Sequence, residues 1–423
     1  MNVLSLHLLN FRGIETLHVD FTQRTTAFVG VNGVGKSAIL DALAIALSQL
    51  IWRLNNQPQK ARQIAPDDIR HGADFARIAI TLQIRPGVEI QWALARNRKS
   101  GTYPDPLRKS DLEALNRAVS ALDAEWEQVE SERQEPYDLP LAVYYDVNRS
   151  VLEIPIRVRE KLQNTPYEVY RDALDHGGAD FKRFFIWFRN REDYENEQRR
   201  DQPDFRDRAL EAVRAAVAAF TGFQDLRIRR SPLRMTVVKQ GLELNVAQLS
   251  DGERNMLALL GDMARRLSVL NPSLTNPNAG HGVVLIDEID LHLHPGWQRR
   301  VIGSLERTFP NCQFIVTTHS PQIVGELAPE SVMRLRDGVL LGHAPRSLGL
   351  SSGEVLEELM DGQARNPEVS AQLEAIHRQI DDDRLTDAQT LLDQLQAKVG
   401  DIPEVLAAQA SIDSLACLED EET

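Results

Sequence analysis

The sequence predicts an α/β fold, and three stretches of the chain support that prediction. Residues 26–37 (TAFVGVNGVGKS) pass from an apolar, strand-like segment into a glycine-rich loop, and an apolar helical segment follows the loop. Residues 283–288 (VVLIDE) and 314–319 (FIVTTH) are apolar runs that end in polar side chains. Such runs are typical of buried parallel strands, whose carboxyl ends deliver polar groups to one edge of a sheet.

The N-terminal region predicts two strands that lead into the glycine-rich loop, because apolar and polar residues alternate at 2–9 and again at 17–21. The turn between them carries one cation, Arg12, which we interpret as a surface residue in preference to a nucleotide contact. Residues 76–84 and 88–95 predict a further strand pair, since the Pro-Gly sequence between them favours a tight turn.

The glycine-rich loop matches the pattern G-x-x-x-x-G-K-[ST] without a substitution. Glycines allow backbone N–H groups to surround phosphate oxygens, and the following helix directs its positive end at the same anion. A chance match is the alternative, but a strand before the loop and a helix after it argue against one. Lys36 is expected to reach the β- and γ-phosphates, and the Ser37 hydroxyl to bind Mg²⁺. The predicted ATP-binding residues of the loop are Gly30, Asn32, Gly33, Val34, Gly35, Lys36 and Ser37.

The middle of the chain is predicted to be mainly helical. An apolar seam from Leu112 to Val129, at spacings of three and four residues, predicts a helix that packs against another helix. Residues 210–220 have the same spacing and are the predicted partner. The aromatic residues within 181–188 are interpreted as buried helix packing in preference to base stacking. The basic run 227–230 is interpreted as a solvated strand face in preference to a phosphate-backbone contact.

A second motif lies at residues 249–254 (LSDGER), in front of a strongly helical segment, 255–267. Ser250 stands where a helix N-cap belongs, and Gly252 permits close approach of another backbone. A capped surface helix would have the same pattern, so this stretch alone leaves both interpretations open.

The composition is that of an ordinary soluble protein, with 42% hydrophobic and 26% charged residues among 423. We expect a cytoplasmic protein without a membrane partner, because no run of about 18 apolar residues is evident and the first residues do not resemble a signal peptide. The two cysteines, Cys312 and Cys417, are too few for a disulfide framework.

The acidic charge is concentrated at the end of the chain. Residues 351–423 contain 18 Asp and Glu against 4 Lys and Arg, so they account for the whole net charge of −14. Residues 1–350 are therefore neutral overall. Helical spacing continues through this tail, and its arrangement resembles one tetratricopeptide-like hairpin. Two interpretations stay open: a solvated acidic cap, and a docking surface for a basic partner.

Together the motifs resemble an ABC-type P-loop ATPase head of the SMC/RecF branch, and the resemblance covers nearly all of residues 1–345. The motifs that carry the resemblance are a Walker A motif at 30–37, a signature-like motif at 249–253, a Walker B motif at 283–288, a D-loop at Asp290 and a switch histidine at His319. The resemblance implies a short helical insertion, because the distance between Walker A and the signature leaves no room for a long one.

This resemblance divides the chain into four predicted parts. The first two are an N-terminal lobe (1–100) and a helical insertion (101–235) that contains the strand 139–149. A C-terminal lobe (236–345) follows, and an all-helical acidic extension (346–423) ends the chain.

The resemblance also implies the chemistry of the site, with ATP and Mg²⁺ as cofactors. Asp287 is expected to bind Mg²⁺ together with Ser37. Glu288 is expected to orient and deprotonate the attacking water, and His319 to donate a hydrogen bond to the γ-phosphate.

In this family the signature of one head faces the nucleotide of another head. Ser250 and Gly252 are therefore expected to contact ATP held by a second copy, with Asp290 near the same nucleotide. Hydrolysis then implies a homo-oligomer, at least a head-to-head dimer. Asp251 occupies a position that is usually glycine, and it places a carboxylate near the triphosphate.

Two further positions depart from the family pattern or invite another interpretation. No glutamine follows the predicted strand at 139–145, and Asn148 or Arg149 is the candidate replacement. His292 and His294, beside the D-loop, are interpreted as ordinary flanking residues in preference to a metal site.

The chain contains no recognisable nuclease or protease motif, so an ATPase of this design is expected to regulate a separate effector. Residues 64–70 (IAPDDIR) and 187–193 (WFRNRED) resemble the PtuA-like ATPases of Septu and retron-linked antiphage systems, whose partner is an HNH nuclease. Such a nuclease is the implied partner, with 346–423 as a docking candidate. The alternatives are a DNA-repair or chromosome-maintenance ATPase that contacts nucleic acid itself, and a scaffold that binds ATP with little turnover.

Overall fold

The computed structural model describes residues 1–54, 61–133, 137–147, 165–175 and 181–421. Asn148 and Arg149, the candidates for the glutamine position, lie outside the described residues. The chain forms two compact units, residues 1–350 and residues 351–423.

Strands and helices alternate along most of the first unit. The strands are β1 (Asn2–Phe11), β2 (Ile14–Asp20), β3 (Thr25–Val29), β4 (Phe75–Arg85), β5 (Val88–Asn97), β6 (Leu141–Tyr145), β7 (Gln224–Arg230), β8 (Leu233–Lys239), β9 (Leu242–Asn245), β10 (Gly282–Ile286), β11 (Cys312–Thr317), β12 (Val332–Arg336) and β13 (Val339–His343). The helices are α1 (Lys36–Leu54), α2 (Glu113–Arg133), α3 (Pro166–Tyr170), α4 (Phe181–Gln198), α5 (Arg208–Thr221), α6 (Asp251–Leu270), α7 (Pro295–Thr308) and α8 (Pro321–Val324), followed in the second unit by α9 (Ser352–Leu359), α10 (Pro367–Asp381), α11 (Leu385–Val399) and α12 (Pro403–Glu421).

The first sheet is antiparallel and has the strand order β2-β1-β4-β5. Alternate side chains of these strands, such as Leu6, Ile78 and Trp92, are buried on its inner face. The outer face is more polar, as expected of an antiparallel sheet with one solvated side. This sheet confirms both N-terminal strands and the strand pair around the Pro-Gly turn.

The second sheet has the strand order β13-β12-β3-β11-β10-β6. All of its strands run parallel except β13, which pairs antiparallel with β12. Ile286 of β10 lies beside Val316 of β11, and Thr317 lies beside Phe28 of β3. The carboxyl ends of β3, β10 and β11 therefore meet at one edge of the sheet, which confirms the predicted α/β fold.

Helix α1 connects the two sheets. It contacts β1 and β4 of the first sheet and β6, β10 and β11 of the second. By length and composition α1 could cross a membrane, contrary to the expectation that the chain has no such segment, but 78% of its apolar window is buried inside the protein. Its place between two sheets accounts for this composition, because a helix covered on all sides is apolar all round.

The helices of the middle region pack differently from the prediction. α2 packs on α1 and β5, whereas α5, which contains residues 210–220, packs on α6 and α7. The predicted pairing of α2 with α5 is therefore wrong. α2 follows β5 closely along the chain and covers the nearest apolar surface, while the apolar stripe of α5 covers the long helix α6.

The predicted helical insertion also contains strands. β6 belongs to the six-stranded sheet, and β7, β8 and β9 form a separate antiparallel sheet. The predicted boundary at residue 235 falls inside β8 (Leu233–Lys239), because a strand and not a helix continues through this position. The aromatic residues of α4 are buried, as predicted. A Cβ on Gly261 of α6 would lie 2.7 Å from the ring of Phe184, so α4 and α6 pack closely.

The second unit is helical throughout its described part, as the sequence predicts. Gly400, which has a φ angle of 77°, stands at the end of α11. Lys398 of α11 pairs with Glu368 of α10 at 2.9 Å. The apolar core of this unit comes from α10, α11 and α12 and contains Leu373, Ile376, Ile380, Ala388, Leu392, Leu395, Val405, Ala408 and Ile412.

Candidate functional site

The glycine-rich loop folds back on itself between β3 and α1. Lys36 Nζ donates to the carbonyl oxygens of Gly30 at 2.8 Å and Val31 at 3.0 Å, which closes the loop over the start of the helix. A Cβ on Gly30 would lie 2.3 Å from the carbonyl oxygen of Leu335, so no larger residue fits there. The loop glycines adopt positive φ angles that favour glycine, with Gly30 at 149°, Gly33 at 82° and Gly35 at 103°.

This loop faces a cavity of about 410 Å³. Asp287, Glu288 and His319 line the same cavity from the carboxyl ends of β10 and β11. The structure thus gathers residues that lie far apart in the sequence but were predicted to act on one triphosphate. The loop residues that line the cavity are Asn32, Gly33, Val34, Gly35, Lys36 and Ser37.

The Thr317 hydroxyl holds the Asp287 carboxylate and the Glu288 backbone of the Walker B motif in place. It donates a hydrogen bond to Asp287 Oδ1 and accepts one from the backbone N–H of Glu288 at 2.7 Å. Glu288 has a φ angle of 46°, a left-handed conformation that costs a non-glycine residue roughly 1–3 kcal/mol. Thr317 therefore stabilises a strained turn that directs Glu288 into the cavity.

Asp290 does not line the cavity of its own chain, so its predicted contact with a nucleotide stays a prediction. Its Oδ1 accepts hydrogen bonds from the Thr318 hydroxyl at 2.6 Å and from the backbone N–H of His319 at 3.2 Å. Within one chain, Asp290 thus fixes the backbone that carries His319.

The cavity lowers the pKa of two of its basic side chains, Lys36 and His319. Burial lowers the pKa of Lys36, and the neighbouring carboxylates Asp287, Glu288 and Asp290 oppose that shift. Burial, followed by the positive charge of Lys36, lowers the pKa of His319 below its ordinary value, again against those three carboxylates. At neutral pH the imidazole of His319 is therefore neutral, and it can donate one hydrogen bond without a net charge.

Ser37 and Asp287 suit a magnesium ion that is shared with a nucleotide. Ser37 is exposed, and the described residues provide no hydrogen bond to Asp287 Oδ2. The described part of the chain contains no cluster of three His, Cys, Asp or Glu side chains that could hold a metal alone. Mg²⁺ favours such a site, because it binds through one or two protein oxygens and completes its shell with phosphate and water.

His294 has an ordinary structural role. Its Nδ1 accepts a hydrogen bond from the backbone N–H of Gly296 at 3.2 Å and caps α7. His292 belongs to no metal cluster within the described ranges. The cap agrees with the interpretation of His294 as a flanking residue, and for His292 that interpretation stays a prediction.

The signature motif lies outside the cavity of its own chain. Ser250 caps α6, and its side chain accepts from the backbone N–H of Glu253 at 3.4 Å. Glu253 returns the contact by accepting from the backbone N–H of Ser250 at 3.0 Å. A Cβ on Gly252 would lie 2.3 Å from the carbonyl oxygen of His292, so the expected close approach is to the D-loop of the same chain.

Asp251, the departure from the family pattern, is neutralised within its own helix. It is exposed and forms an ion pair with Arg254, one turn further along α6. Lys239 similarly pairs with Glu253 at 2.5 Å. The signature surface therefore carries paired charges rather than the bare carboxylate that the sequence suggested.

Arg12 is not the surface turn residue that the sequence analysis favoured. It lines the cavity, and its guanidinium pairs with Asp41 of α1 at 2.5 Å and with Asp68 at 2.9 Å. The interpretation was wrong because the turn that carries Arg12 folds over α1, where two carboxylates bind the half-buried guanidinium. Gly13 and the turn Asp337–Gly338 line the cavity as well, and the sequence analysis missed them.

The arginines of the basic run 227–230 already form ion pairs with carboxylates. Arg229 pairs with Glu243 at 2.5 Å, and Arg227 with the same carboxylate at 3.1 Å. Arg230 pairs with Glu192 at 2.9 Å. A role in binding a phosphate backbone is therefore not supported for these arginines.

Comparison with known proteins gives matches to a family model, to relatives and to solved structures. Residues 25–325 match the family model described as "AAA domain, putative AbiEii toxin, Type IV TA system". "Retron Ec83 probable ATPase" of Escherichia coli is 32% identical to this chain, with 87% of this chain and 78% of that protein covered. "Septu protein PtuA" of Bacillus mycoides is 26% identical, with 75% and 38% covered. Among solved structures, an SMC head bound to the C-winged helix domain of ScpA aligns with a TM-score of 0.48 at 17% identity, with 82% and 99% covered.

Proposed function

This chain belongs to the AAA-domain family whose model it matches over residues 25–325, and from that premise we propose that it binds and hydrolyses ATP at sites shared between two copies. The gathering of the loop, Asp287, Glu288 and His319 in one cavity carries the proposal. Ser250 lies outside that cavity, so a second chain must supply the signature.

Each cavity residue has a distinct part in the proposed reaction. Lys36 binds the β- and γ-phosphates, and Mg²⁺, held by Ser37 and Asp287, neutralises developing charge on the phosphates. Glu288 orients the attacking water and accepts its proton. Neutral His319 donates a hydrogen bond to the γ-phosphate, and the backbone N–H groups of the loop bind the other phosphate oxygens.

Mixing two inactive variants tests the composite site. Lys36→Ala removes the phosphate-binding lysine but leaves the signature intact, and Ser250→Arg blocks the signature but leaves the loop intact. A dimer with one chain of each kind has one complete site, so random mixing should restore up to about a quarter of wild-type hydrolysis, which is the value for independent sites. The measurement is steady-state phosphate release from the separate and the mixed proteins.

The control for this experiment is a double variant with both substitutions in one chain, mixed with wild type. Such a mixed dimer combines an intact loop with a blocked signature at one site and a defective loop with an intact signature at the other. Neither site is complete, so only the wild-type dimers should hydrolyse ATP. Two single variants that stay inactive when mixed, while dimerising normally, would contradict the composite site.

We further propose that the ATPase regulates a separately encoded effector in antiphage defence in the cytoplasm. The Septu and retron names of the relatives and the lack of an effector motif in this sequence support this. An HNH nuclease is the favoured effector, and its basic surface would dock on the acidic residues 346–423. Co-purification of neighbouring gene products with a tagged native copy tests this, and an ATPase that emerges alone and protects cells without a neighbour would contradict it.

A further inference from the structure

Lys239 lies beside the signature turn but belongs to a different part of the fold. It is the last residue of β8, in the three-stranded sheet β7-β8-β9. Its Nζ atom donates to Oε1 of Glu253, in the first turn of α6, at 2.5 Å. This contact therefore joins the three-stranded sheet to the start of the helix that carries the signature.

The chain between Lys239 and the signature serine is ordered by hydrogen bonds. Strand pairing places Lys239 opposite Leu242, across a two-residue turn whose φ angles of 51° and 80° suit a tight hairpin. A 3-10 turn with a capping box, Val246–Gln248, then leads to Ser250. The position of Lys239 beside the signature is thus fixed through the backbone and through its contact with Glu253.

The second oxygen of Glu253 holds the signature serine. Oε2 of Glu253 accepts hydrogen bonds from the backbone N–H of Ser250 at 3.0 Å and from the Ser250 hydroxyl at 3.1 Å. The hydroxyl oxygen in turn accepts from the Glu253 N–H at 3.4 Å. Within one chain, the proton of the Ser250 hydroxyl is therefore directed at a carboxylate.

This carboxylate is ionised at neutral pH. Burial alone would raise the pKa of Glu253, but the hydrogen bonds from Lys239 and Ser250 hold that pKa below its ordinary value. The Glu253 side chain is only 13% exposed, so salt and water screen its charge poorly. A triphosphate that approaches Ser250 from a second copy would therefore meet a negative charge next to the hydroxyl, unless a cation compensates that charge.

We propose that Lys239 is a positioning residue of the composite site: by compensating Glu253, it makes the Ser250 hydroxyl available to the γ-phosphate of the second copy. This inference rests on the proposed function, because it requires that Ser250 contacts ATP held by another chain. When the hydroxyl proton turns from Glu253 to the phosphate, Oε2 keeps the Ser250 N–H and Oε1 keeps Lys239. The carboxylate thus retains two donors and a counter-charge beside the phosphate.

A positioning role differs from direct binding of phosphate by Lys239. The ammonium group is already engaged by Glu253, and the Lys239 side chain is 37% exposed. If Lys239 acts through Glu253, its substitution should matter only while Glu253 is charged. If Lys239 bound phosphate directly, its substitution would matter whatever residue stands at position 253, so a double-mutant cycle separates the two roles.

The test is that cycle in the full-length protein, with Lys239→Met, Glu253→Gln and the two substitutions together. Sedimentation with and without ATP measures dimerisation. Lys239→Met leaves Glu253 uncompensated, so it should weaken ATP-dependent dimerisation by about tenfold at low salt and by less at high salt. In the Glu253→Gln background, the same substitution should change dimerisation by less than about twofold. ATP binding by the isolated chain should equal that of wild type in Lys239→Met.

Two controls separate charge from packing. Lys239→Arg keeps the positive charge and should dimerise within about threefold of wild type. Lys398→Met removes a lysine that pairs with Glu368 at 2.9 Å in the second unit, and it should alter dimerisation by less than about twofold. Thermal unfolding reports any loss of stability in each variant. A loss caused by the charge of Glu253 is still recognised in a less stable variant, because only such a loss is relieved by Glu253→Gln.

Three results would overturn the proposal. The first is wild-type dimerisation by Lys239→Met, and the second is an equal loss when Glu253 is already Gln. The third is the same loss in Lys239→Arg as in Lys239→Met. A different result would contradict the composite site as a whole: a wild-type protein that does not dimerise with ATP, together with Lys36→Ala and Ser250→Arg variants that stay inactive when mixed.

Discussion

The phosphate-binding cavity and the signature turn at Ser250 are built in opposite ways. Residues from several separate elements line the cavity. Lys36 and Asp287 are buried there and form hydrogen bonds within the chain. The signature turn is exposed, and its polar groups are used to cap and neutralise the first turn of α6. Folding of one chain therefore assembles one half of the predicted machinery, whereas the other half is proposed to complete a site on a second chain.

This difference separates two kinds of defect. A substitution in the cavity should affect every chain that carries it, because the proposed hydrolysis occurs there. A substitution in the signature should act first on the nucleotide of the neighbouring chain and should leave ATP binding by the isolated chain intact.

The largest effect is expected for Glu288→Gln. Loss of the proton acceptor should lower the rate of ATP hydrolysis by about 100-fold or more, while ATP binding is retained, because the amide has nearly the same size as the carboxylate. Phosphate release and equilibrium nucleotide binding are the measurements. The matched control is Glu326→Gln, a surface carboxylate paired with Arg299, which should change the rate by less than about twofold. Equally slow hydrolysis by wild type and Glu288→Gln would remove Glu288 from the mechanism and favour a scaffold.

Substitutions of Ser250 separate its capping role from its proposed contact with a second chain. Ser250→Ala loses the cap and should lower the free energy of unfolding by about 1 kcal/mol, whereas Ser250→Asn can still cap. Both lose the hydroxyl, so both should lower hydrolysis by about tenfold or more. Thermal unfolding measures the loss of the cap. The mass of the particle with and without ATP measures the contact with a second chain. If Ser250→Asn hydrolyses ATP like wild type, Ser250 is a cap and nothing else.

Thr317→Val tests how the cavity holds its carboxylates. The substitution removes the donor to Asp287 and the acceptor for the Glu288 N–H, and both groups lose a buried partner. We expect a loss of about 1–3 kcal/mol in the free energy of unfolding and roughly tenfold slower hydrolysis. Thr317→Ser keeps the hydroxyl and serves as the control. A valine variant with wild-type kcat would show that Thr317 stabilises the fold without positioning Glu288.

A smaller effect is expected at the ion pair of the signature turn. Arg254→Gln leaves the Asp251 carboxylate uncompensated, so it should weaken ATP-dependent dimerisation by about fivefold at low salt and less at high salt. Asp251→Asn removes a charge that is already neutralised, and it should change dimerisation by less than about threefold. Sedimentation with and without ATP measures both. A marked tightening in Asp251→Asn would restore the view that this carboxylate opposes dimerisation.

The pH dependence of kcat/KM gives the most modest test. The pKa of His319 is lowered by burial and by Lys36, so the active neutral ring should persist below about pH 6.5, the ordinary range of histidine titration. The rate should therefore fall only at pH values below that range, as His319 becomes protonated. His319→Gln should be slower at neutral pH and should lack this acid limb. An acid limb at or above about 6.5 that disappears in His319→Gln would show that the pKa is not lowered.

The sequence was most informative where chemistry depends on short-range pattern. The loop 30–37 has a fixed spacing, and an apolar run that ends in Asp287 and Glu288 has few structural alternatives in a parallel sheet. The position of His319 followed from the same reasoning, and the structure places all three in one cavity. Their catalytic roles stay predictions.

Long-range packing was less accessible to the sequence. Arg12 lies in the cavity because the turn after β1 and the segment around Asp68, which are remote along the chain, both lie close to α1. No local sequence pattern predicts that contact. The apolar seam from Leu112 to Val129 predicted that α2 packs against another element, but the spacing alone does not identify that element. In the structure α2 packs on α1 and β5 and not on α5. Two consecutive threonines before His319 were the available signal for Thr317 and Thr318, since hydroxyls at a strand end can bond neighbouring carboxylates.

The close contact between Gly252 and His292 has a consequence for ATP turnover at the two sites of a proposed dimer. The absent side chain lets the start of α6 rest on the peptide that follows the D-loop, and the Leu291 N–H donates to the carbonyl oxygen of Glu288 at 2.9 Å. A displacement of one chain's helix by its neighbour's triphosphate would therefore shift that chain's own water-activating residue. In a symmetric pair the two turnovers would then be cooperative, and the rate should rise with ATP concentration more steeply than for independent sites.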